Sequence, residues 1–177
     1  MKEKEKCVIQ HMFKQNSHMG SIDVSGNKFS NGCVSNVAYS KMPFDDGEDI
    51  NLFFTTGLLS NIVYVTISDG DISEITNLLS NFEFGDKYGV GSKLGSVIQL
   101  QDNEYLKRNR CCGVVMLRVN TVFFLESFES KIEFGGDEIE FLLVVFLDER
   151  EYNFVKEEGL KKFLESLGDK DIFSITQ

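Results

Sequence analysis

The stretch IEFLLVVFLDEREYNFVKEEGLKKFLESL, residues 139–167, decides the fold. Its first nine residues, Ile139 to Leu147, form a nearly continuous apolar run of strand length, so this strand needs cover on both faces and belongs inside a sheet. Asp148 ends the run, and Glu151 three residues later completes a capping-box pattern that opens a helix. That helix is predicted to reach about Leu167, with Tyr152, Val155, Phe163 and Leu164 on its buried side. Gly159 interrupts it at about 1 kcal/mol relative to Ala, which calls for close packing or a bend.

Immediately before the apolar run, KIEF (Lys131 to Phe134) and the turn GGDE predict a β-hairpin. Further strands are predicted at Val97 to Leu100 and in GVVMLRV, Gly113 to Val119. On either side of Gly57, the runs INLFFTT (Ile50 to Thr56) and IVYVTI (Ile62 to Ile67) are rich in strand formers. Asp71 with Glu74 then opens another helix, whose single apolar face carries Ile72, Ile75, Leu78, Leu79 and Phe82. The segment Met19 to Met42 suits short strands joined by tight turns, and DIFSIT near the C-terminus reads as a final strand. No repeat or Pro-rich linker divides the chain. The expectation is one α+β domain over residues 1–177, a mixed, mainly antiparallel sheet flanked by two main helices.

A chain of 177 residues can bury roughly 70% of its unfolded surface, and 42% apolar residues with 16 Phe supply a core without a metal or disulfide staple. Cys7, Cys33, Cys111 and Cys112 lack C-x-x-C spacing and are expected to be reduced, mostly buried thiols. MKEKEKCVIQHMF lacks the apolar run of a signal peptide, and no eighteen uncharged apolar residues follow one another, so a cytoplasmic protein off the membrane is expected. The net charge is −10. Residues 1–43 carry six Lys against three acids, +3, which leaves −13 for residues 44–177. Such a balance repels polyanions and argues against direct nucleic-acid binding. It suits either ordinary solubility or the attraction of a basic partner.

Residues that could carry chemistry are few. The glycine-rich stretch GDKYGVGSKLGS, residues 85–96, follows a helix and precedes a strand, the reverse of a phosphate loop, and has no G-K-[ST] ending, so it reads as a structural loop. His11 and His18, in a region expected to be strand or loop, lack the company of a zinc site. Cys111 and Cys112 adjoin an apolar strand, which favours burial over nucleophilic use. Two acidic clusters stand out: Asp45, Asp46, Glu48 and Asp49, and then Asp137, Glu138 and Glu140. Neither forms a calcium loop, so each is either a solvated surface or a partner-binding rim. No catalytic residue, metal ligand or cofactor is assigned.

The phrase Thr55-Thr56-Gly57-Leu58-Leu59-Ser60, the helix, glycine loop and strand of residues 71–100, and FLLVVFLDEREYNFVKEEGLKKFLESL with Glu151, Tyr152, Gly159 and Leu164 together resemble the suppressor of fused domain. The likeness is clearest over residues 50–177. It departs where many members have proline and this chain has Phe146. The resemblance implies protein binding without catalysis. Bacterial members look like immunity proteins paired with secreted toxins, and the animal representative is similar to an adaptor that sequesters a regulatory protein. For this chain it implies, first, a 1:1 complex with a toxin domain, taken with the charge to be a basic nuclease whose active site is covered. A tRNA-cleaving EndoU-type ribonuclease is the favoured case on the kinds of toxin bacteria exchange, not on any residue here.

Overall fold

The computed structural model describes residues 1–16, 19–43, 49–100, 106, 108–121 and 127–167. The predicted final strand DIFSIT lies outside them. In chain order the elements are helix α1 (Glu3–Gln15), strands β1 (Asp23–Lys28), β2 (Val34–Pro43), β3 (Asp49–Thr55) and β4 (Ile62–Ser68), and helix α2 (Ile72–Lys87). They continue with β5 (Val97–Gln99), β6 (Cys111–Arg118), a 3-10 turn, β7 (Lys131–Phe134), β8 (Asp137–Asp148), α3 (Glu149–Glu158) and α4 (Leu160–Leu167).

One sheet contains all eight described strands in the order β1-β2-β3-β4-β8-β6-β5, with β7 paired to β8 as well. Only β4 and β8 run parallel among these pairs; the rest are antiparallel. β8 therefore stands inside the sheet, as its apolar run requires. Along it, Ile139, Phe141, Leu143, Val145 and Leu147 join one buried cluster, while Leu142, Val144 and Phe146 join another. Strand alternation thus divides a continuous hydrophobic sequence between two cores.

Each core has its own helical cover. Ile75 and Leu79 of α2 pack with Tyr64, Phe53 and Val37 on one face. On the other face Val8 and Met12 of α1 and Tyr152, Val155 and Phe163 of α3 and α4 belong to the cluster that also holds Leu52, Phe54, Val63 and Val65, with α3 lying over β5, β6 and β8. The α+β class and mixed sheet are as expected, with four helices bounded among the described residues where two main ones were expected.

Helix α1 is the principal difference from the sequence reading, which placed His11 in a strand or loop. Five charged residues among its thirteen hide the apolar face, which consists of little more than Val8, Ile9 and Met12. The helix at 149–167 is also broken. Gly159 ends α3 at φ +87, and a Cβ there would meet no atom within 4 Å, so it serves a bend and not close packing. The predicted cap at its start is present in full: Asp148 accepts from the Glu151 amide and Glu151 from the Asp148 amide.

Candidate partner-binding surface

The β7–β8 hairpin gathers the second acidic cluster at one end of the sheet. Its register sets Phe134 opposite Asp137, Glu133 opposite Glu138, and Lys131 opposite Glu140. Asp137 and Glu138 are exposed and Glu140 is partly so. Lys131 reaches diagonally to Glu138, Nζ to Oε1 at 2.6 Å. Glu133, also exposed, then faces Glu138 with no ion-pair partner of its own among the described residues. Like charges directly opposite on a strand pair are unfavourable, so this placement is not explained by stability.

The sequence reading did not single out Glu133. Its position was available there, because a hairpin closed through Gly135-Gly136 fixes which residues face each other.

Of the first cluster, Asp45, Asp46 and Glu48 lie outside the described residues. Asp49 begins β3 opposite Pro43, two residues before Asn51, which pairs with Ser68 at the end of β4. Glu140 pairs with Ile62 at the start of β4. Six residues of strand, about 20 Å, separate those two ends, so Asp49 and the hairpin are not brought together.

Two further carboxylates are buried, and both hold the connection between β3 and β4. Glu5 of α1 accepts from Asn36 Nδ2 at 2.7 Å, Thr56 Oγ1 at 3.0 Å and the Lys2 amide at 2.8 Å. Burial pushes its carboxyl up, but those hydrogen bonds outweigh it and hold the group below the ordinary range. Its stabilising contribution is present above the ordinary Glu pKa of about 4.3 and is lost as pH falls.

Glu83 of α2 accepts from Ser35 Oγ at 2.5 Å and the Leu59 amide at 3.1 Å. Here burial dominates and raises the pKa. The sign is opposite: its contribution is complete below about 4.3 and is lost as pH rises through the folded value. Glu83→Gln removes that loss. Urea unfolding is therefore expected to show the variant gaining on the parent as pH rises above the ordinary Glu pKa of about 4.3. A difference independent of pH would contradict this reading.

His11 is structural in its setting. Its Nε2 lies 2.9 Å from the Glu129 carbonyl oxygen and its ring contacts Phe128 and Phe141, with burial lowering its pKa. His18 lies outside the described residues. Among those described, no three His, Cys, Asp or Glu side chains are arranged to hold a metal ion.

The four cysteines are free thiols, each partly exposed where burial was expected. Their environments differ. Lys87 Nζ donates to Cys33 Sγ at 3.3 Å and, with Tyr88 Oη nearby, lowers that thiol's pKa. Burial pushes Cys111 up to about 12. Iodoacetamide near neutral pH is expected to label Cys33 well before Cys111, and Lys87→Met to slow only the former. Mass mapping that finds Cys111 labelled first would reverse the assignment.

An eight-stranded mixed sheet with helices on both faces and a charged hairpin at one end defines a layered α+β domain. Its fold is that of suppressor of fused. A chain of the Sufu–Fu complex crystal structure superposes with a TM-score of 0.68 at 10% identity, covering 98% of this chain and 91% of that one. A protein described as a suppressor of fused homologue from Neisseria gonorrhoeae FA 1090 gives 0.66 at 12% identity, covering 99% and 95%. These matches extend over residues 1–49, where the sequence shows no visible likeness. No family model matches the sequence, and no curated protein matches it either.

Proposed function

We propose that this chain is a non-catalytic binding protein that neutralises a basic secreted toxin by occupying it, acting in the cytoplasm of the cell that makes it. The observation that carries the reading is the hairpin, where Glu133 faces Glu138 beside exposed Asp137. A repulsive pair maintained on an exposed hairpin makes sense when a cationic surface is to lie over it. The neighbouring Sufu–Fu structure is itself a protein complex, which favours a protein partner for this fold.

A nuclease suits that partner best. Its active site must attract phosphate, so a rigid negative surface is drawn into the same field, quickly at low salt and more slowly as ionic strength rises. An EndoU-type ribonuclease that cuts tRNA is the specific case favoured. The complex would be 1:1, with the acidic surface covering the active site, and Asp45, Asp46, Glu48 and Asp49 remain candidates for a second contact. The alternative is an adaptor that sequesters a regulatory protein. Gene context and survival separate the two. A secreted protein with a C-terminal toxin domain encoded immediately upstream is expected, and cells expressing that domain are expected to live only when this chain is co-expressed. Equal death with and without it would overturn the immunity assignment.

A further inference from the structure

Far from the hairpin's negative charge in character, a second surface is basic and apolar. A cleft of about 500 Å³ opens between the start of β4 and the loop after α2, with Lys4, Lys87 and Lys93 among its lining residues and Asp86 as its one acid. Asp86 is already engaged from within the fold. Its Oδ2 accepts from Tyr64 Oη at 2.7 Å and Ser60 Oγ at 3.1 Å, and its Oδ1 from the Ser92 amide at 3.1 Å. The lining therefore carries three ammonium groups against one carboxylate in a protein of net charge −10, with Lys87 also donating to Cys33 Sγ.

The loop is held in place. Lys4 Nζ is fixed on the opposite wall by the Ser60 carbonyl oxygen at 2.5 Å and Asn61 Oδ1 at 2.7 Å. At Gly91 a Cβ would come within 2.0 Å of Asp86 Oδ1, so only glycine lets the loop close on that carboxylate. The glycine-rich stretch that has no phosphate-loop context is thus a built wall of a cleft.

That wall also displays apolar side chains. Tyr88 is 55% exposed, Val90 81% and Leu94 43%. Of the seven large hydrophobic residues exposed among those described, these three lie within seven positions of one another. Apolar side chains presented together with charged neighbours mark interaction sites on otherwise soluble domains.

We propose that the loop of residues 88–94 and the cleft beside it form a second docking surface, for an acidic segment of a partner protein that carries an apolar anchor. The lysines complement its carboxylates, and Val90 and Leu94 receive the anchor, while Tyr88 is held by Asn31 and Phe84. The surface has the opposite sign to the hairpin and does not depend on the toxin reading.

The test uses the full chain and a fluorescein-labelled decapeptide of alternating Glu and Leu, followed by anisotropy. Saturable binding is expected, weakened at least tenfold by Lys87→Glu with Lys93→Glu and by Val90→Asp, all exposed or rim positions. Glu133→Lys with Glu138→Lys should not weaken it, and circular dichroism confirms that each variant is folded. Three results would overturn the proposal: no saturation, equal affinity in the lysine variants, or displacement by sodium phosphate at an ionic strength where sodium chloride has no effect. The last would make the cleft a small-anion site.

Discussion

Replacing Phe141 by Ala is expected to cost about 3–5 kcal/mol, a large share of the roughly 5–15 kcal/mol that holds a domain of this kind together. Phe141 is fully buried in the sheet-spanning strand β8, and its ring lies 4.9 Å from that of His11 and 5.3 Å from that of Phe128. It therefore joins the sheet to α1 and to the segment that precedes β7. The lost side chain leaves a cavity that three separate elements would have to close, and the cost rises with the volume left unfilled. Phe13, on the same helix as His11, is 44% exposed, and Phe13→Ala should change stability by no more than about 0.5 kcal/mol. Urea unfolding of both variants checks the pair. Similar midpoints for the two would mean that α1 does not pack on β8 as described.

The second large effect is kinetic. Each Glu→Lys replacement changes the net charge by two, so Glu133→Lys takes −10 to −8 and the double variant with Glu138→Lys takes it to −6. Association with the proposed basic partner at low salt is expected to slow by about 10-fold for the single change and up to about 100-fold for the double one. The gap should narrow as salt is added, because the Debye length shrinks to about 8 Å at physiological ionic strength. Stability should move the other way for the single variant. Glu133→Lys turns a repulsive cross-strand pair into an attractive one, worth about 0.2–1 kcal/mol. A variant that is no less stable and yet binds slowly isolates the charge as functional. If stopped-flow rates are the same for parent and variants at low salt, the hairpin is not the encounter surface.

Much of this fold was legible because its signals are local. The apolar run at 139–147, the capping pair Asp148 and Glu151, and the hairpin around Gly135-Gly136 each depend on residues near in sequence, and each is present. Helix α1 was not legible, since only tertiary contact shows that Val8 and Met12 are enough to seat a strongly charged segment. The parallel pairing of β4 with β8, seventy-odd residues apart, has no local signature either.

For the candidate site, the acidic residues could be found but not their arrangement across the sheet. Glu133 follows from the register that the Gly135-Gly136 turn sets, whereas the separation of Asp49 from the hairpin needed the sheet order. The roles of Glu5 and Glu83 were hidden for a different reason. Nothing in a sequence marks which carboxylates will meet enough donors in the interior to remain there, and both depend on Ser35, Asn36 and Thr56 from other strands or loops.

Titration of the purified toxin domain with this chain, with cleavage of the toxin's nucleic-acid substrate as the readout, tests occupation most directly. Activity should fall in proportion to the amount added and vanish at one equivalent, with the toxin recovered unaltered when the complex is dissociated. Loss of activity at a small fraction of an equivalent, growing with time, would mean that the chain transforms its target instead of covering it.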